Sequence, residues 1–253
     1  MKKFLLKNLL PFAVAIVGMI VVWWIAYVGM GRNEELLPPP SACFKEVFSI
    51  LGASAFWKAF SHTLLRVLLA FLLALIPSVI FAVIAYLCPV FGDFLTPIVS
   101  ALRSLPVLAV SLILLVIFYA DKTPIAVAFL SLFPMLYVGA SSSLTAVDKD
   151  LVAMSKVYKV PLMRRILSLY LPSAAPFFLR EAGASLSFAL KLVVSAEVLA
   201  FTSNSLGGMM QEIRGYSGEM PTLFALVILS FVCGMVLEGI FTLGVRLWQR
   251  RKE

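Results

Sequence analysis

Histidine occurs once in the chain, at His62, and the three cysteines, Cys43, Cys88 and Cys233, lie far apart with no CxxC spacing. That sparseness argues against a His-based metal centre, a zinc site and a disulfide framework. No G-x-x-x-x-G-K-[ST] stretch occurs, so the chain cannot build a P-loop phosphate cradle. Charge is scarce too: Asp, Glu, Lys and Arg make up 13% of the 253 residues, where soluble domains carry about 25%. The carboxylates are scattered rather than paired, which leaves a membrane enzyme poorly equipped. No cofactor is expected.

What is present is apolar surface. Hydrophobic residues fill 62% of the chain, and too little polar surface remains to cover one aqueous core. Lipid must be the solvent for much of it. A span takes roughly 20 apolar residues, so this length accommodates about six spans plus connections. The expected fold is all-α and integral to the membrane.

The first span runs from about Leu9 to Met30. Its basic start resembles a signal peptide, but the run is long and lacks a small-residue cleavage site, so it reads as retained. Trp23, Trp24 and Tyr27 lie toward its outer end, where amphipathic rings favour the interface. The segment GRNEELLPPPS, Gly31 to Ser41, breaks the helix. From Ser41 to about Phe60, Phe44, Val47, Phe48 and Leu51 recur at helical spacing. Lys45, Glu46 and Lys58 make this stretch too polar to span, so it is expected along the outer interface. Further spans are predicted at about Thr63 to Leu87, Phe94 to Tyr119, Pro124 to Leu144, Ala174 to Phe201 and Thr222 to Leu247. The organisation is therefore a first helix over 1–30, an extracytoplasmic linker with an interfacial helix over 31–60, a membrane domain over 61–247 and a cytoplasmic tail over 248–253.

An even number of spans puts both termini on one side. Lys2, Lys3, Lys7, Lys149, Lys156, Lys159, Arg164, Arg165, Arg246, Arg250, Arg251 and Lys252 then share a face. The opposite loops hold Arg32, Lys45, Lys58, Lys122 and Arg214. The positive-inside rule places the first group, and both termini, in the cytoplasm. No internal repeat of the kind found in secondary transporters is visible.

The segment Val147 to Pro176, VDKDLVAMSKVYKVPLMRRILSLYLPSAAP, is too polar to span and too apolar for a solvated linker. Val152, Tyr158, Met163 and Ile166 would give a short helix an apolar side, and Lys156, Lys159, Arg164 and Arg165 give it charge. Such a helix suits a partner groove or the membrane surface. Leu171-Pro172 closes the segment, with proline where a helix start tolerates it.

Here the chain resembles the permease subunits of ABC importers of the type I fold. Their cytoplasmic loop begins EAA, has a glycine four residues after the second alanine, and ends I-x-L-P. Counting back from Leu171-Pro172, Leu169 takes the Ile position, Lys159 the glycine, and Ala153, Met154 and Ser155 the EAA. The Glu and Gly are absent. LLPPPS, SHTLLRV, RSLP, LFPMLYVG, SAEVLA and SLGGMM, in this order, resemble the nitrate/sulfonate/taurine branch, which includes thiamine-precursor permeases.

The resemblance implies an importer subunit in a prokaryotic plasma membrane. Its substrate would be a small anion, a sulfonate or a vitamin precursor. Its partners would be a second permease copy, cytoplasmic ABC ATPases and an extracytoplasmic solute-binding protein. It also implies a coupling element at about 145–170, comprising Ala153, Met154, Ser155, Lys156, Val157, Tyr158, Lys159, Val160, Pro161, Arg164 and Arg165. Gly207 and Gly208 would lie near the outer gate and the binding-protein docking face; a plain turn is the alternative there. An ion-coupled secondary transporter, or another polytopic protein acting without an ATPase, is the alternative for the whole chain.

Arg103, Lys191 and Glu197 fall in or near apolar segments. A charge at mid-helix costs about 2.5–3.5 kcal/mol on insertion scales, so such residues face a bundle interior or a cavity. They are candidates to line or gate a pathway; structural pairing between helices is the competing reading. Lys191 and Glu197 are poor partners for each other, because six residues turn a helix through about 240°.

Overall fold

The computed structural model of the chain describes residues 2–213 and 219–250, all of them helical or in short connections. The helices are α1 (Lys2–Gly29), α2 (Pro40–Gly52), α3 (Ser54–Leu87), α4 (Pro89–Ser104), α5 (Val107–Thr145), α6 (Lys149–Val157), α7 (Leu162–Arg165), α8 (Leu171–Ala200), α9 (Leu206–Ile213) and α10 (Met220–Arg250). Four helical stretches, Ser54–Leu87, Val107–Thr145, Leu162–Ala200 and Met220–Gln249, are long and apolar enough to cross a bilayer. Arg214 and residues 251–253 of the basic tail lie outside the described residues.

The core is built by size. Along α3, Ala59, Thr63, Val67, Ala70, Ala74, Ser78 and Ala82 are buried at helical spacing, with Phe56 and Phe71 the two large residues among them. Leu65, Leu69, Leu72, Leu73 and Ile76 on the other side are exposed. Small residues inward and large ones outward is what membrane packing favours, since backbones approach closely where side chains are small. α5 and α8 pack against this stripe, and α10 covers α8. α10 comes close to α8 at Gly183, where a Cβ would stand 2.9 Å from the Phe241 ring.

Several expected boundaries move. The stretch expected as one interfacial helix is two: Ala53 is extended (φ −87°, ψ 127°), α2 ends at Gly52, and α3 begins at Ser54. The Phe94 to Tyr119 span is interrupted at Leu105-Pro106. Leu105, preceding a proline, is driven to φ −67°, ψ 132°, out of the helical region. The polar stretch before Leu171-Pro172 is not a loop at its end: α7 runs through a π turn, Ile166–Tyr170, straight into α8. Proline lacks the N–H for a regular helical bond, and a π turn widens the ladder just ahead of it.

α5 is one element by hydrogen bonding but not one rod. Tyr119 sits at φ 58°, ψ 173°, a conformation nearly confined to glycine that costs about 1–3 kcal/mol. The Thr123 hydroxyl lies 3.3 Å from the Leu114 carbonyl. Nine residues of straight helix would hold them about 13 Å apart. Val107 and Val110 also share a small cavity with Val127, Leu130 and Ser131. The chain therefore folds back at Tyr119, where the sequence predicts a short turn over Ala120 to Thr123.

Near the C-terminal end of α1, Trp23 donates its indole N–H to the Pro38 carbonyl (3.1 Å) and packs on Phe224. Tyr27 is buried, while Trp24 stays exposed. Trp23 thus ties the linker to α1, and Tyr27 is buried rather than facing an interface.

Candidate functional site

Glu197 is completely buried and tied to neighbouring helices, the arrangement expected of a structural pair between helices. Its carboxylate accepts hydrogen bonds from the Thr63 hydroxyl (3.1 and 3.0 Å to its two oxygens), from Arg66 (3.2 Å) and from the Gly207 backbone N–H (3.2 Å). One carboxylate near the C-terminus of α8 thus ties down α3 and α9 together. Thr63 also accepts the Leu206 N–H (3.0 Å), and Ser205 accepts the Gly208 N–H (2.9 Å). The first three amide groups of α9 are therefore all satisfied by side chains. A helix start carries partial positive charge, and a carboxylate there is favourable.

The same cluster reaches the α5 turn. Thr202 donates to the Ala120 carbonyl (2.8 Å), and Arg66 lies 3.7 Å from the carboxylate of the exposed Asp121. The glycines explain themselves sterically. A Cβ on Gly207 would stand 2.4 Å from Glu197 Cβ and 2.5 Å from the Val198 nitrogen; one on Gly208 would stand 2.2 Å from the Thr202 carbonyl oxygen. Both are needed for close approach. Glu197, Gly207 and Gly208 were legible as candidates in the sequence, whereas Arg66 was not singled out. His62 is exposed and Arg66 is the ion-pair partner. Their spacing gave a signal: Thr63 and Arg66 share a helix face.

The basic loop forms a built surface. Asp148 caps α6 by accepting the Asp150 N–H (2.8 Å). The helix ends with Val160 N–H on the Ser155 carbonyl and Lys159 N–H on the Lys156 carbonyl, both 3.0 Å, with Lys159 at φ 51°. That bond pair is a Schellman turn, and Lys159 holds the left-handed position that normally takes glycine. The turn geometry survives without the glycine.

Val152 and Ile166 pack inward against Val147, Tyr170 and Ala174. Met154, Val157, Tyr158 and Met163 are exposed; the expected apolar side is thus divided, with Tyr158 and Met163 facing out. Lys156, Lys159 and Arg164 are exposed beside them, as are Ala153 and Pro161, with Ser155 and Val160 half-buried. Arg165 folds back, donating to the Val160 carbonyl (3.3 Å). Replacing Lys159 by glycine removes a left-handed penalty of about 1–2 kcal/mol and adds unfolded-state entropy of about 0.4–1 kcal/mol. The Lys159→Gly protein is expected to unfold at a slightly higher temperature, which thermal denaturation in detergent would measure.

Arg103 lies in the last turn of α4. It lines a cavity of about 620 Å³ with Ser131, Met135, Ser142, Phe177 and Glu181. Lys191 stands 5.7 Å over the Phe231 ring, a favourable placement for an ammonium group. Phe177, Glu181, Ala184, Phe188, Lys191 and Ser195 form an exposed stripe along α8, an otherwise largely buried helix. Their steps of four and three make a heptad-like seam.

A profile of the family described as "Binding-protein-dependent transport system inner membrane component" matches residues 78–248. The taurine transport system permease protein of Escherichia coli K12 is 24% identical over 240 residues, covering 92% of this chain and 85% of that one. The putative aliphatic sulfonates transport permease protein of Bacillus subtilis 168 is 24% identical over 237 residues, covering 92% and 83%. Among solved structures, an amino acid ABC transporter crystallised with histidines is similar in fold (TM-score 0.63, 16% identity, 78% of this chain and 94% of that one). The MetNI methionine ABC transporter in an inward-facing conformation is similar too (TM-score 0.60, 16% identity, 76% and 93%).

Proposed function

The chain belongs to the family of binding-protein-dependent transport system inner membrane components, and on that premise we propose how this ABC importer permease works. Two copies form one pathway between them, an ATPase docks on each α6–α7 surface, and a solute-binding protein delivers a small sulfonate or related anion from outside. The observation that carries this reading is the α6–α7 surface. Exposed Met154, Val157, Tyr158 and Met163 beside Lys156, Lys159 and Arg164 present apolar anchors in a basic rim, the pattern of a helix made to enter a groove. The exposed α8 seam supports a second copy, because a membrane face carrying Glu181 and Lys191 is unfit for lipid.

The proposed topology has six crossings: α1, α3, α4 with the first arm of α5, the second arm of α5, α8 and α10. It places both termini, Cys88 and the α6–α7 surface in the cytoplasm, with Thr63, Glu197 and α9 at the outer end. Cys88 is exposed, while Cys43 in α2 is fully buried and its thiol is pushed by burial up to about 11. A membrane-impermeant maleimide is expected to label Cys88 in inside-out vesicles and not in intact cells, sparing Cys43 in both. Labelling of Cys88 from outside would overturn the topology.

Affinity purification of the tagged chain from its native membranes tests the function itself. An ABC ATPase and a second, untagged copy are expected to co-purify, and a Lys156→Glu/Arg164→Glu protein is expected to lose most of the ATPase while keeping the second copy. Recovery of neither partner, together with gradient-driven uptake by the chain alone, would favour the secondary-transporter reading.

A further inference from the structure

We propose that the α6 end of the bundle holds one anionic phospholipid per chain, with an acyl chain in an apolar crevice between α3, α8 and α10 and the phosphate in a basic cavity behind α6. The proposal rests on the topology above, which makes this end cytoplasmic. It goes further by making a lipid of the cytoplasmic leaflet the support on which α6 rests.

The crevice measures about 400 Å³, and Val79, Val83, Leu167, Leu171, Phe178 and Trp248 are among its walls. Ser143, the one hydroxyl in this lining, donates to the Gly139 carbonyl of its own helix (2.7 Å). Hydrocarbon is the occupant such walls suit, because a polar solute would leave its own groups unpaired there. An apolar cavity of about 150 Å³ takes a benzene ring, so by proportion this crevice takes roughly sixteen carbons, a chain of acyl length. Leu167, Leu171 and Trp248 are exposed, so the crevice opens on the surface of the bundle and a chain can enter from the bilayer.

The crevice leads toward charge. Val83, Leu144 and Leu171 also border a narrow cleft of about 30 Å³ with Tyr86, Ile166 and Tyr170. Tyr86 in turn borders a cavity of about 480 Å³ with Thr145, Val147, Lys149, Val152 and Lys156. From Val79 to Tyr86, α3 rises about 10 Å, so the hydrocarbon walls and the ammonium groups differ in depth as tail and headgroup do. Tyr86 and Tyr170 stand between them, where amphipathic rings favour the interface.

The basic cavity takes one face of α6. Lys149, Val152, Ala153 and Lys156 border it at helical spacing, whereas the exposed Leu151 and Met154 lie on the other side of the helix. One face is thus left for the ATPase while the other receives the lipid. Neither lysine forms an ion pair among the described residues, and two cations bordering one cavity favour an anion within it. A free phosphate would use the basic cavity alone; the adjoining hydrocarbon crevice singles out a phospholipid.

The test uses the permease–ATPase complex in detergent and an equimolar mixture of dioleoyl phosphatidylglycerol and dioleoyl phosphatidylcholine, probes that share their chains and differ in headgroup charge. Native mass spectrometry is expected to show phosphatidylglycerol retained at least fivefold over phosphatidylcholine, and not displaced by glycerol phosphate at the same concentration. Lys149→Glu is expected to bring the two lipids to parity, Lys149→Arg to keep the preference, and Ala175→Trp, which fills the crevice, to lower retention of both. Equal retention by the wild type, an unchanged preference in Lys149→Glu, or displacement by glycerol phosphate would overturn the site. So would retention by the permease alone but not by the complex, which would show that the ATPase itself covers the cavity. If a variant fails to assemble, the wild-type comparison alone decides. Cys88 directly follows Leu87, which borders the narrow cleft, so its maleimide labelling reports separately which side of the membrane this end faces. Labelling from outside counts against the topology; labelling from the cytoplasmic side without a phosphatidylglycerol preference counts only against the lipid site.

Discussion

Replacing Glu197 by alanine is expected to lower the unfolding temperature of the detergent-solubilised protein sharply and to abolish transport. The substitution strips four contacts at once: both Thr63 approaches, the Arg66 pair and the Gly207 amide bond. Arg66 is only 14% exposed at its side chain, and its remaining partner, Asp121, is 3.7 Å away and 79% exposed. A solvated carboxylate at that distance does not compensate a buried guanidinium. Removing one partner from a buried ion pair costs about 3–5 kcal/mol, because the other charge is left uncompensated. Glu197→Gln should fall between, since its carbonyl can still accept from Thr63 or Gly207 while the charge on Arg66 stays unanswered. A double-mutant cycle with Arg66→Met separates the pair from the rest of the cluster. An alanine protein with wild-type melting and uptake would show that the cluster holds nothing.

That cluster shows how far sequence reasoning reaches. A carboxylate in an apolar helix announces itself by its cost, and Glu197 was found that way. Its partners were not, because Thr63 and Arg66 are more than 130 residues distant and only tertiary packing brings α3 beside the end of α8. The fold-back of α5 was legible as a break in hydropathy around Asp121 and Lys122, though the backbone pivots one residue before the expected turn, at Tyr119. The separation of α2 from α3 was not legible, since neither Gly52-Ala53 nor its neighbours include a proline to end the helix.

The loop offers the opposite lesson. Lys159 stands where the resembled loop has glycine, yet it adopts φ 51°, because two backbone hydrogen bonds close the turn regardless of the side chain. Arg103 was legible as a charge needing an explanation. That Glu181 borders the same cavity required the packing of α4, α5 and α8.

The second large effect is expected at Gly207. Its missing Cβ is surrounded by Glu197 Cβ at 2.4 Å, the Val198 nitrogen at 2.5 Å and the Val194 carbonyl oxygen at 2.7 Å. Two of these atoms are helical backbone of α8 and cannot swing aside as a flexible side chain would. A Gly207→Ala chain must therefore lift α9 off α8, which breaks the Gly207 bond to Glu197 and the Leu206 bond to Thr63 together. The lifted segment exposes Ser205, which is fully buried in the wild type. A cysteine placed at Ser205 in a Cys88→Ser background is expected to resist a membrane-impermeant maleimide applied from outside, and to react readily once Gly207→Ala is added. Overpacking of this kind typically costs about 1–3 kcal/mol, occasionally more, and rigid backbone walls favour the upper end. Gly244→Ala is the control, because a Cβ there meets nothing within 4 Å. If Gly207→Ala leaves both the cysteine protected and uptake intact, α9 is not held by this contact.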